Sequence, residues 1–109
     1  MAVPGALAVT TPKRVPALPN MPTFAEAGVQ GMVVVNWYGL VAPLKTPQAI
    51  IDRVAAATNK VVRSPDMMKS LLADGSEAVG SAPAEFAAHI KSEHEQWSRV
   101  VKAAGIRVN

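Results

Sequence analysis

Cysteine is absent from these 109 residues, which removes disulfides, thiolate nucleophiles and thiolate metal sites together. Long apolar runs are absent as well: nothing approaches the ~18 consecutive apolar residues that mark a membrane-spanning helix. The opening "MAVPGALAVTTPKR" puts its charges after its apolar part, the reverse of a secretory leader. A chain made as written is therefore expected to stay in the cytoplasm. No "GxSxG" and no glycine-rich phosphate loop is present. His89 and His94 are five apart, about 140° around a helix, so they cannot share a metal from one face. Glu93 and Glu95 fall on different faces and read as solvated charges. These absences predict a protein that is not an enzyme and carries no cofactor.

The net charge is only +3, and its carriers are scattered. Lys13, Arg14, Arg53, Lys60, Arg63, Lys69, Lys91, Arg99, Lys102 and Arg107 are spaced along the chain, with Asp52, Glu93 and Glu95 among them. Nucleic-acid binding needs positive charge gathered on one face, so no nucleic-acid partner is expected.

What is present points to a small folded domain. Half the residues are hydrophobic and 17% are charged, a globular balance, and the length fits one ordinary domain. Nine prolines fall into two groups. Pro4, Pro12, Pro16, Pro19 and Pro22 predict an irregular N-terminal quarter, because proline fixes φ and removes a donor. Pro43, Pro47, Pro65 and Pro83 mark entrances to later elements.

"ALAVTT" (6–11) reads as a buried strand. "TFAEAG" (23–28) reads as a very short helix, with Thr23 and Glu26 as a capping box and Gly28 as its stop. "GMVVVNWYGLVAP" (31–43) is β-rich throughout, with Gly39 suggesting a bulge or a close backbone approach. A long helix follows, with Thr46 as N-cap, Pro47 at its first position and Ile50, Ile51, Val54, Thr58, Val61 and Val62 on one stripe. A shorter helix enters through Ser64 and Pro65 and stops at Gly75. "SEAVG" (76–80) is a candidate strand. The last helix spans about Pro83 to Ala104, with Phe86, Ile90, Trp97, Val101 and Ala104 on one face. The whole predicts an α/β chain.

Asn36–Gly39 is the one locally odd place. Neighbouring side chains of a strand point to opposite faces, so Trp37 and Tyr38 cannot share a core. Either the strand is covered on both sides, or it lies where two lobes meet and one aromatic faces a ligand cleft.

Three segments, "LAVTTPKRVPALPNMPTFAEAG", "NWYGLVAPLKTPQAIIDRV" and "PAEFAAHIKSEHEQWSRVVKAAGI", resemble the C-terminal third of the substrate-binding proteins of tripartite tricarboxylate transporters, the Bug family. The likeness runs over nearly all of residues 6–107. It implies part of a type II periplasmic-binding-protein-like lobe, a mixed sheet fragment with three main helices. Residues 1–30 would end the second lobe and form a proline-rich crossover, and residues 31–109 would form the C-terminal part of the first lobe. It also implies a periplasmic receptor that captures small di- and tricarboxylates, hands them to membrane permease subunits and performs no chemistry. On this reading Thr10, at a strand end, and Asn36, Trp37 and Tyr38 are the candidate ligand-binding residues. The family's main carboxylate grip lies in glycine-rich loops that have no counterpart here. Another departure is Ala82-Pro83, where the family usually has Thr-Pro. Unmatched sheet edges and helix faces would invite self-association, and an oligomeric module with no ligand of its own is the competing expectation.

Overall fold

A computed structural model describes residues 5–108. It contains three helices, α1 (Gln48–Val62), α2 (Pro65–Ala73) and α3 (Pro83–Ala104). The chain falls into two units. One comprises the chain up to Ala42 together with Ser64–Ala78; the other comprises Pro43–Arg63 and the chain from Val79 onward.

In the first unit the expected strands do not form. Among the described residues the β-structure is one isolated parallel bridge between Val9 and Thr23. The reason is that a strand exists only through its neighbours, and here the pairing is one residue wide. The Val9 N–H donates to the Pro22 carbonyl (2.9 Å), and the Phe24 N–H donates to the Val9 carbonyl (3.1 Å). On the other side, the Val34 N–H donates to the Thr10 carbonyl (2.9 Å). Residues 6–11 and 31–43 thus meet where a sheet would place them, around Val9–Thr10, without extending into a ladder. Residues 76–80 also form no strand.

"TFAEAG" closes a single turn and no helix. Fixing three residues for a first hydrogen bond is costly, and six residues ending in Gly28 at φ 91° give little to repay it. The capping box does form. The Glu26 N–H donates to Thr23 Oγ1 (3.2 Å), and the Thr23 N–H reaches Glu26 Oε1 at 3.5 Å.

In the same unit, α2 follows its sequence signals closely. Ser64 Oγ accepts from the Met67 N–H (3.4 Å) and Pro65 occupies the first turn. At the other end Gly75 adopts φ 77°. The Ser76 N–H then bonds the Leu71 carbonyl (2.8 Å) and the Gly75 N–H bonds that of Leu72 (3.0 Å), the paired geometry of a Schellman stop.

In the second unit α1 begins one residue later than Thr46 and Pro47 suggest. The Thr46 N–H is spent on a turn with the Pro43 carbonyl (3.0 Å), and Pro47 is extended at ψ 140°. Pro47, instead of Thr46, therefore flanks the helix, with no side-chain cap. The covered side runs through Ile51, Ala55, Thr58, Asn59 and Val62, while Ile50, Val54 and Val61 are about half exposed. α1 packs against α3. The link into α3 is tied back to α1: Arg63 Nη2 donates to the Gly80 carbonyl (3.0 Å) and Asn59 Nδ2 to that of Ser81 (3.4 Å).

On α3 the covered residues near the start are Phe86, His89, Ile90 and Glu93, and the rings of Phe86 and His89 stack at 6.5 Å. Trp97 and Val101 remain 39% exposed, so the apolar stripe is covered only toward its N-terminal half. Glu93 is half-buried and accepts from Trp97 Nε1 (2.9 Å). The reading of Glu93 as a purely solvated charge is thereby corrected; it stands one helical turn from the indole and satisfies it. Among the described residues Thr23 alone is buried, at 3% exposure.

Candidate functional site

The four sequence-predicted ligand residues all fall in the first unit. The structure joins Thr10 to their neighbourhood through a two-way link. Thr10 Oγ1 donates to the Val34 carbonyl at 2.7 Å, across 24 residues of sequence, and the Val34 N–H returns to the Thr10 carbonyl. Val34 is two residues before Asn36, so Thr10 fixes the start of the segment that carries Asn36, Trp37 and Tyr38.

That segment is open. Asn36 is exposed, Trp37 is 40% exposed and Tyr38 is 91% exposed. A strand covered on both sides is therefore not what the structure has at Trp37 and Tyr38. Met32, Val33, Val35, Leu40 and Val41 around them are exposed too. Chemically the segment offers neutral donors: an amide on Asn36, an indole N–H on Trp37 and a phenol on Tyr38. Amide and phenol groups donate to carboxylate oxygens, and none of the three side chains is a cation.

The charged chemistry of this unit lies elsewhere and was not foreseen. Arg14 forks onto Glu26, with Nε 2.9 Å from Oε2 and 3.1 Å from Oε1, and its Nη1 reaches the Pro19 carbonyl (3.3 Å). The hydrogen bond with Arg14 is the main reason that the Glu26 carboxyl titrates below its ordinary range, and the same bond raises Arg14. The pair clasps the proline-rich segment to the Thr23–Gly28 turn. The sequence signal was available, since Glu26 was already fixed by the capping box, but its 12-residue separation from Arg14 hid the partner. Among the described residues no three His, Asp or Glu side chains gather as a metal site, and no helix is long and apolar enough to cross a membrane.

Residues 5–106 match the tripartite tricarboxylate transporter family receptor model. The chain belongs to that receptor family. It is similar to a UPF0065 protein of Pseudomonas sp. encoded between tcbD and tcbE, at 38% identity over 95% of this chain and 31% of the relative. A UPF0065 protein of Agrobacterium vitis is 30% identical over 92% of this chain and 30% of its own length.

Three solved structures align closely. A periplasmic transporter superposes with a TM-score of 0.81 at 34% identity, covering 94% of this chain and 34% of the other. An R. palustris protein solved with adipate gives 0.79 at 37% identity, covering 92% and 33%. The periplasmic binding protein BugD gives 0.79 at 32% identity, covering 92% and 34%. The chain thus spans about a third of the length of these relatives, and over that third its fold matches part of a periplasmic-binding-protein fold.

Proposed function

We propose that this chain supplies the C-terminal part of a periplasmic solute receptor that captures small organic acids, di- or tricarboxylates, for a tripartite transporter. The observation that carries this reading is the match of residues 5–106 to the receptor family, together with a neighbour solved with adipate. The exposed donor row supports it. Asn36, Trp37 and Tyr38 would line the cleft, with Thr10 beside them. Neutral donors suit an anion held in a closed site, because they stabilise charge without a buried counter-charge. In this reading residues 1–30 end one lobe and cross over, and residues 31–109 complete the other. The receptor performs no chemistry and hands its ligand to membrane permease subunits.

The test uses the adipate-bound R. palustris protein with its matching third replaced by residues 5–106 of this chain. Calorimetry should detect adipate but not adipamide, which has the same length and no charge. Equal binding of both would remove carboxylate recognition from the reading.

A second reading has its own support. Apolar residues 32, 33, 35, 40 and 41 are exposed together, and no apolar residue among those described is buried. Full burial of one such side chain contributes about 1.5–3 kcal/mol, so this surface favours association with other polypeptide. An oligomeric module without a ligand predicts a dimer or larger species in light scattering and no heat on adding any carboxylate.

A further inference from the structure

Thr10 has the right place for a ligand contact but the wrong spare chemistry. A threonine hydroxyl carries one proton and two lone pairs. Its proton is already given to the Val34 carbonyl in a short 2.7 Å bond. A carboxylate at neutral pH only accepts hydrogen bonds, so it can gain nothing from an oxygen whose remaining capacity is also to accept. Residues 8–11 and Val34 are half-buried, which raises the cost of leaving the Val34 carbonyl without its donor.

The backbone around Thr10 explains why the side chain is needed. Successive residues of an extended segment turn their N–H and C=O groups to opposite sides. Val9 uses both of its groups on Pro22 and Phe24, while the Thr10 carbonyl faces the other way and takes the Val34 N–H. On that side the Thr10 hydroxyl bonds the Val34 carbonyl, closing a second hydrogen bond beside the backbone one.

We infer that Thr10 is a positioning residue: its hydroxyl sets the register of the Asn36–Tyr38 segment against residues 8–11 and does not touch the ligand. The inference rests on the receptor reading for its functional meaning, but its physical content can be measured without a ligand.

The experiment is amide hydrogen exchange on this chain, comparing Thr10→Val, which keeps the shape and loses the proton, with Thr10→Ser, which keeps the proton. Thr10→Val should speed exchange at Val34 about fivefold, the worth of one ordinary hydrogen bond. The Ala27 amide, which bonds the Thr23 carbonyl in the same unit, should be unchanged. Thr10→Ser should restore Val34. In a Trp97→Phe background, which leaves Trp37 as the sole indole, Thr10→Val should also increase acrylamide quenching and Thr10→Ser reverse it. Unchanged Val34 exchange in Thr10→Val, or failure of Thr10→Ser to rescue, overturns the inference. So does a loss of adipate affinity in the exchanged receptor with Val34 exchange unaltered, which would make Thr10 a direct contact. If the exchanged receptor binds no acid while the Val34 pattern appears as stated, the receptor reading fails and the positioning role stands.

Discussion

Arg14 and Glu26 hold each other across 12 residues through a two-pronged contact, Nε–H donating at 2.9 Å and Nη2–H at 2.5 Å to Oε2, with Nε also 3.1 Å from Oε1. Both side chains are more than 40% exposed, so water screens the charge and the pair adds little to global stability. Its consequence is local. Four prolines between residues 12 and 22 prevent that segment from fixing itself by regular hydrogen bonds, and the fork supplies an anchor at one end.

The pH dependence of that anchor follows from its sign. Glu26 titrates below its ordinary value because Arg14 donates to it, so the anchor is complete above the ordinary glutamate range, about pH 4.3, and is lost as pH falls through the lowered value. The Arg14 Nε–H resonance should stay protected from exchange at pH 7 and lose protection in acid below that range. Glu26→Gln should lack the neutral-pH protection altogether. Protection that persists in Glu26→Gln would show that the Pro19 carbonyl alone holds the guanidinium.

The N-terminus of α3 is incompletely capped. Ala82 has the extended backbone of an N-cap (φ −69°, ψ 155°) but no acceptor, and only the reciprocal half of a capping box is made, from the Ala82 N–H to Glu85 Oε2 at 3.3 Å. Ala82→Thr supplies the missing oxygen. It should raise unfolding stability by about 0.5–2 kcal/mol, read as a higher urea midpoint with unchanged slope. No gain would mean that the backbone there departs from cap geometry.

Gly80 is fixed by two constraints at once. It adopts φ 62°, and an added Cβ would lie 2.9 Å from Arg63 Nε. Arg63 cannot simply swing away, because its Nη2 holds the Gly80 carbonyl. Gly75, at φ 77°, has nothing within 4 Å of an added Cβ. Both alanine variants should destabilise by about 1–3 kcal/mol from backbone strain, and Gly80→Ala should cost more. Equal losses in thermal or urea unfolding would show that the arginine yields freely.

Asn36 tests the proposed cleft. A hydrogen bond to a charged group contributes about 1.5–3 kcal/mol, so Asn36→Ala in the exchanged receptor should weaken adipate binding roughly 10- to 100-fold. Because Asn36 is exposed, its melting temperature should barely move. Unaltered affinity removes Asn36 from the site.

The helices were legible from sequence because their signals are local. Ser64-Pro65 and Gly75 bound α2 within a few residues, and Gly105 ends α3 at φ 66° as a glycine in that place should. α1 starts one residue later because Pro47 is extended (ψ 140°) and its carbonyl takes the first helical bond, from the Ile51 N–H. The strands were not legible in the same way. Residues 6–11 and 31–43 carry β-type sequences, yet strand formation depends on partners elsewhere in space, and the pairings made at Val9, Thr10, Thr23 and Val34 amount to one isolated bridge among the described residues. The oddity of Trp37 beside Tyr38 was visible at once; that both remain open, and that the Thr10 proton is already committed, required coordinates.

Carboxylate capture is tested by adipate titration of the exchanged R. palustris receptor, carrying residues 5–106 of this chain and checked for folding by circular dichroism. Saturable binding at one site per molecule is the expected result. A folded exchanged protein that takes up neither adipate nor any other small di- or tricarboxylate would contradict carboxylate capture.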